Sequence, residues 1–294
     1  MYRMNVRVLE LVKRLDIYLR ILVENRVSSR YKSIFKGKGL EFEEYKSYSS
    51  TDDANTIDWK ASARANDLLV KRFREERSAD VFFLLDVSSS MVFGSTDKLK
   101  NEYAAEFVAS LSNFILQAGD NVGLIMFNDR IVNTLVAGGG TSQFYLMMRS
   151  LVNPVFYGGG YNLTQAISFL MKMSKKRGLL FIVSDFIGLE QGWERSVMLA
   201  STMFDVVGVM VRDPRDRELP KGVGQVVISD PFTGKTMLID PDEVGDDYKR
   251  YAMMQEARIR NAFRANNADL IELVTDKPFL KPLINFFRGR EILL

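Results

Sequence analysis

Three strand-length apolar runs, each ending on or followed by a polar residue, constrain the fold of this chain more than any other feature. Val81–Asp86 (VFFLLD), Gly178–Ser184 (GLLFIVS) and Phe204–Val211 (FDVVGVMV) lack the alternation of a half-exposed strand. Continuous apolar runs of this length are what a strand buried on both faces requires. Helical periodicity lies between them. Ala104, Phe107, Val108, Leu111 and Ile115 recur at spacings of three and four, and helical stretches follow around 141–151 and 162–175. Val122–Phe127 (VGLIMF) adds a strand with a hairpin partner at Ile131–Leu135. Downstream, Val226–Ile228 and Thr236–Ile239 flank Thr233-Gly234 as a small hairpin. A long helix over about 243–266, a strand at Leu270–Val274 and a helix over about 279–288 close the chain. Strands alternating with helices predict an α/β fold with a doubly wound, mostly parallel sheet covered on both faces.

The chemistry is narrowed by two absences. The 294 residues include no histidine and no cysteine. This excludes disulfides, zinc sites of Cys/His type, haem attachment, Ser-His-Asp and Cys-His catalysis, and thiol redox chemistry. What remains is oxygen chemistry: carboxylates, hydroxyls, backbone carbonyls and the hard cations that prefer them.

The pattern changes near residue 79, dividing a smaller N-terminal region (1–78) from the α/β domain (79–294). Residues 1–38 carry ten Lys/Arg against three acids, although the whole chain is only +3. Val8, Leu11, Val12, Leu15, Leu19 and Leu22 form one apolar helical stripe opposite Arg7, Lys13, Arg14 and Arg20. This reads as a helix packed on its own protein, with a partner-docking or membrane-surface helix as alternatives. The segment shows no secretory signal, and the longest apolar runs fall far short of the roughly 20 residues of a membrane-spanning helix. A cytoplasmic protein is expected. No basic cluster interleaved with aromatics points to nucleic acid.

In a doubly wound sheet, ligands bind beyond the carboxyl ends of the strands where strand order reverses. The first buried strand ends Asp86-Val87-Ser88-Ser89-Ser90, and the strand at 178–184 ends Ser184-Asp185-Phe186. One acid and two hydroxyls on one loop, with a second acid on another, suit a hard cation. Magnesium fits best, with manganese or calcium as alternatives. A shell built partly of neutral hydroxyls leaves the ion electrophilic, open to a carboxylate from a partner protein. Asp86, Ser88, Ser90 and Asp185 are therefore the expected metal ligands. The plainer alternative is that they cap helices and satisfy loop amides.

These residues resemble von Willebrand factor type A domains, whose metal-ion-dependent adhesion site begins with D-x-S-x-S after the first strand. More narrowly, the chain resembles the bacterial and archaeal family called domain of unknown function 58. That resemblance rests on Gly37–Phe42 (GKGLEF), Tyr48 with Asp52-Asp53, Ile57-Asp58-Trp59, Ala63-Arg64 and Val70–Glu76 (VKRFREE). It continues through Asp86–Gly94 (DVSSSMVFG), Asp213-Pro214, Leu219-Pro220 and Thr275-Asp276. It implies a Rossmann-like metal-binding domain used for protein–protein interaction. It also implies a MoxR-type AAA+ ATPase as partner, in a chaperone or assembly role, with a client's acidic residue at the metal. The chain departs from the pattern in one place. The third-loop turn reads Gly158-Gly159-Gly160-Tyr161-Asn162-Leu163-Thr164, with Tyr161 where a threonine is expected. Thr164 or a water is left as the third-loop ligand.

Other features carry less. Asp52, Asp53, Asp58, Arg64, Arg72, Arg74, Glu75 and Glu76, around Trp59, read as a polar network docking the N-terminal region, or as a partner surface. Asp240–Asp247 (DPDEVGDD) lacks EF-hand order and suits a helix start. No P-loop, G-x-S-x-G or S-x-x-K signature is present, and Ser88 stands where a haloacid-dehalogenase phosphatase needs its second aspartate. A non-enzymatic module is expected. A magnesium-dependent phosphoester hydrolase is the runner-up, and a peripheral membrane-surface scaffold a further alternative.

Overall fold

A computed structural model describes residues 40–49, 52–54, 57–65, 67–75 and 78–291. The basic helix expected over residues 8–22 lies outside them. The first described strands, β1 (Leu40–Ser47) and β2 (Leu69–Glu75), pair antiparallel around the short helix α1 (Trp59–Ala65). Asp58 caps that helix, its Oδ1 accepting the N–H groups of Lys60 and Ala61 at 3.0 and 3.1 Å. Its other oxygen receives the Tyr45 hydroxyl at 3.1 Å. Asp52 accepts both the N–H and the hydroxyl of Ser49, at 2.9 and 2.7 Å. These two acids of the expected network thus hold local turns, Trp59 is 69% exposed, and the side chains of Arg72, Arg74, Glu75 and Glu76 lie outside those described.

The main sheet begins with β3 (Asp80–Asp86), whose side chains from Val81 onward are all buried. Helix α2 (Lys100–Gln117) crosses to β4 (Asn121–Phe127), and β5 (Ile131–Gly138) returns antiparallel beside it. Helices α3 (Gly140–Leu151) and α4 (Leu163–Met173) lead to β6 (Gly178–Ser184). Then follow α5 (Trp193–Ser201), β7 (Phe204–Arg212) and the separate hairpin of β8 (Val226–Ser229) and β9 (Thr236–Ile239). Helix α6 (Pro241–Ala265), β10 (Asp269–Val274) and α7 (Leu280–Glu291) complete the described chain. Strand order is β10-β7-β6-β3-β4-β5, parallel except for β5. This is the doubly wound α/β sheet the apolar runs predict.

Alternate residues of β3 enter different cores because strand side chains point to opposite faces. Val81, Phe83 and Leu85 pack with α2, α3 and α7, and Phe83 stacks on Phe181 at 5.2 Å. Phe82 and Leu84 pack with residues of α4, α5 and α6. Gly208 lets α6 lie close on the sheet, since a Cβ there would come within 2.6 Å of the Phe263 ring. Sequence periodicity missed α5. Its buried apolar residues are only Trp193, Val197 and Ala200, and the exposed Met198 and Leu199 blur the stripe. Among the described residues, no helix is long and apolar enough to cross a membrane.

Truncating Phe83→Ala empties a fully enclosed site and is expected to cost about 3–5 kcal/mol. Gly208→Val overpacks the β7–α6 contact and is expected to cost about 1–3 kcal/mol. Urea unfolding followed by tryptophan fluorescence and circular dichroism measures both.

Candidate functional site

From β3 the chain runs outward through β4 and β5, then returns to place β6 on the other side of β3 and continue through β7 and β10. Strand order therefore reverses between β3 and β6, and their carboxyl ends flank a crevice. Asp86 is the last residue of β3 and Ser184 the last of β6. The two meet directly, the Ser184 hydroxyl donating to Asp86 Oδ2 at 2.6 Å. The Ser88 N–H donates to Asp86 Oδ1 at 2.8 Å, and the Ser88 and Ser90 hydroxyls lie 3.1 Å apart. Asp86, Ser88, Ser184 and Asp185 are fully buried, and Ser90 is nearly so.

Burial dominates the electrostatics. It raises the Asp86 carboxyl to a pKa of about 7, with the Asp185 charge adding to the rise. The hydrogen bonds from Ser184 and Ser88 offset only part of this. Asp185 is placed differently. Its Oδ1 accepts the Ile187 N–H at 2.9 Å and its Oδ2 the Lys100 ammonium at 2.7 Å. Lys100 also reaches both oxygens of Asp216, at 3.1 and 2.9 Å. Burial leads in raising Asp216, and the Lys100 charge offsets it in part.

The polar line continues along the carboxyl ends of β7 and β10. Asp213 accepts the Ser95 N–H and hydroxyl at 2.8 and 2.5 Å, the Arg215 N–H at 2.8 Å and the Thr275 hydroxyl at 3.2 Å. Burial pushes Asp213 up, but these donors outweigh it and hold the carboxyl below its usual range. The loop between Ser90 and α2 is thereby tied to two further strands.

The third loop is clamped onto the first. Gly158 N–H donates to the Val87 carbonyl at 2.7 Å, Gly159 N–H to the Ser89 hydroxyl at 2.9 Å, and Ser89 N–H to the Gly159 carbonyl at 3.0 Å. Gly158 and Gly159 take φ of 118° and 92°, a region that favours glycine, and a Cβ on Gly159 would come within 2.6 Å of Asn128 Nδ2. Tyr161 packs its ring on Phe127 and lies 3.3 Å from Ser184 Oγ through its hydroxyl. Burial, then the Asp86 charge, pushes that phenol well above its usual range. Thr164, the third-loop candidate, points its contacts elsewhere: its hydroxyl accepts from Ser196 at 3.0 Å and its N–H donates to Glu190 at 2.6 Å.

The structure thus gathers Asp86, Ser88 and Ser90, with Asp185 following Ser184 on the neighbouring strand. It adds Ser184, Tyr161, Lys100 and Asp216, which sequence reasoning did not assign to the site. Asp86 receives neutral donors from Ser88 and Ser184, so its charge has no cation in contact among the described residues. Two hydroxyl oxygens stand nearby. That donor set fits a hard divalent cation. Asp185 fits less freely, since Lys100 and Ile187 engage both its oxygens. No three carboxylates converge as ligands among the described residues. A cation here would rest on hydroxyls as much as on charge.

The family described as "Protein of unknown function DUF58" matches residues 44–258. The uncharacterized protein Rv1480 of Mycobacterium tuberculosis is 26% identical, over 95% of this chain and 89% of its own length. Among solved structures, the chain is similar to BatB from Bacteroides thetaiotaomicron, at 15% identity and a TM-score of 0.49, over 73% of this chain and 100% of that one. It is also similar to the vWF domain of the type V pili tip protein Mfa5 from Porphyromonas gingivalis. There the identity is 14% and the TM-score 0.38, over 74% of this chain and 96% of that one.

A carboxyl whose pKa is higher folded than unfolded favours the fold while protonated, so its contribution is lost as pH rises from about 4 to about 7. In the absence of divalent cations, Asp86→Asn should therefore stabilise the protein at pH 8 by a few kcal/mol relative to wild type. The gain should shrink towards about pH 5. Urea titrations of both proteins in EDTA at the two pH values measure the difference. An equal gain at both would show that the Asp86 charge is not the cause.

Proposed function

The chain belongs to the family of proteins of unknown function DUF58, and on that premise we propose that it is a non-enzymatic protein–protein interaction module acting through a divalent cation at the carboxyl-end crevice. The observation that carries this reading is the convergence of Asp86, Ser88 and Ser90 where strand order reverses, with the Asp86 charge left to neutral donors. Asp86, Ser88 and Ser90 would hold the ion, with Asp185 beside them. Magnesium suits the all-oxygen set, with manganese and calcium as alternatives. When bound, the ion supplies a position for a carboxylate oxygen of another protein.

The chain's own residues prepare that contact. Ser184 and the Ser88 N–H fix the Asp86 carboxylate, so both oxygens are oriented before any ligand arrives. Ser88 and Ser90 contribute oxygen without charge, which leaves the ion's charge available to a partner. The glycine turn at Gly158–Gly160 is hydrogen-bonded to the D-x-S-x-S loop through Val87 and Ser89, which holds that loop in place. The absence of histidine, with the Ser88 and Ser90 hydroxyls bonded to each other, supports binding rather than turnover. As the family resemblance implies, the proposed partner is a cytoplasmic MoxR-type AAA+ ATPase, in a chaperone or assembly role, with a client's acidic residue at the ion.

Pull-down of a co-expressed MoxR-type ATPase by this chain, with Mg²⁺ and with EDTA, tests the reading. Capture should require Mg²⁺ and be lost in Asp86→Ala, whose folding circular dichroism verifies. Capture that is equal in EDTA and in the variant would reject the ion as the contact.

A further inference from the structure

Lys100 is a buried charge to which the metal reading assigns no task. It opens α2, where the helix dipole disfavours a cation, and it is 1% exposed. A lysine in the first turn of a solvent-facing helix would extend into water. This one instead turns inward to Asp185 at 2.7 Å and to Asp216 at 2.9 and 3.1 Å, with the Phe93 ring 5.6 Å away. Burial pulls its pKa down, but the Asp185 and Asp216 charges outweigh burial and hold it above the ordinary lysine value. The ammonium sits between two carboxylates, at 2.7 and 2.9 Å.

The charge balance of the cluster shows what that cation does. Asp86, Asp185 and Asp216 are buried or nearly so, with one ammonium among them. With all three acids ionised, the cluster lacks two positive charges, which is what one divalent ion supplies. The Lys100 ammonium and such an ion make the same demand on Asp185. Asp216 holds the ammonium through both oxygens, so an ammonium that leaves Asp185 keeps a charged partner.

We propose that Lys100 is the resident counter-charge of Asp185, competing with a divalent cation for that carboxylate and retreating onto Asp216 when the ion binds. This rests on the metal reading given above and assigns its regulation. The lysine keeps the acids assembled in the metal-free protein and weakens divalent binding by occupying an oxygen the ion would use. A ligand that draws the ammonium towards Asp216 strengthens metal binding, and the converse follows by linkage.

The test uses Mn²⁺ as probe, its free concentration read by electron paramagnetic resonance, on the full chain as wild type, Lys100→Met and Lys98→Met. Lys98 lies two residues away and pairs with Glu106, so it reports the general effect of losing a nearby positive charge. Lys100→Met should bind Mn²⁺ at least about fivefold tighter than wild type, the low end of coupling between sites. Lys98→Met should stay within about twofold, as expected of a partly exposed, screened charge. Wild-type binding with no tightening in folded Lys100→Met, or equal tightening in both variants, overturns the role of Lys100 and leaves the metal reading standing. No Mn²⁺ binding by wild type or by folded Lys100→Met at millimolar concentration overturns both. Should Lys100→Met fail to fold, the nitrogen resonance of the buried Lys100 ammonium is followed in wild type while Mg²⁺ binding is measured by calorimetry. The signal should shift as Mg²⁺ saturates. A saturated protein with an unmoved signal overturns the proposal.

Discussion

Charge buried without water is the constraint on which the rest of this structure depends. Asp86 ends the buried apolar run of β3 and Asp185 follows the last residue of β6, and both are fully buried. A lone carboxylate in such a place costs far more than one hydrogen bond returns. The fold answers in two ways. Asp185 takes a lysine, and Asp86 takes neutral donors and keeps a raised pKa. That asymmetry between neighbouring acids is the chemical identity of the site. One acid is matched by a cation of the protein, and the other is met only by neutral donors.

The sheet places this asymmetry and the loops preserve it. A parallel sheet directs the carboxyl ends of β3, β6, β7 and β10 to one edge, so acids distant in sequence become neighbours. Asp213 draws Ser95 and Thr275 together, fixing the loop that leads into α2 and therefore the position of Lys100. On the other side, the glycine turn bonds to Val87 and Ser89, and Tyr161 reaches Ser184.

The ends of the strands were legible in the sequence because chemistry changes abruptly there. A run such as VFFLLD has one polar residue, and its position marks the strand end. Asp86, Ser88, Ser90 and Asp185 were found that way, and the structure brings them to one crevice. Thr164 was offered, with a water as the alternative, only as a stand-in for the third-loop threonine that the family resemblance implies. It lies in the first turn of α4, where its hydroxyl pairs with Ser196 of α5, a helix whose short, blurred stripe gave no sequence signal. Tyr161 is the third-loop side chain that does reach Ser184. Lys100 carried one local sign, a cation in the first turn of a helix, and that sign is too common to stand without its partners.

By itself, the sequence determined the layered α/β architecture, since apolar runs and helical periodicity are local properties of the chain. It also excluded imidazole and thiolate chemistry, because the chain contains no histidine or cysteine. Only the tertiary structure decided how the charges divide. Lys100 meets Asp185 across 85 residues and Asp216 across 116, while Ser184 reaches Asp86 across 98. Such contacts depend on strand order and helix placement, and at these separations no spacing rule along the chain encodes them.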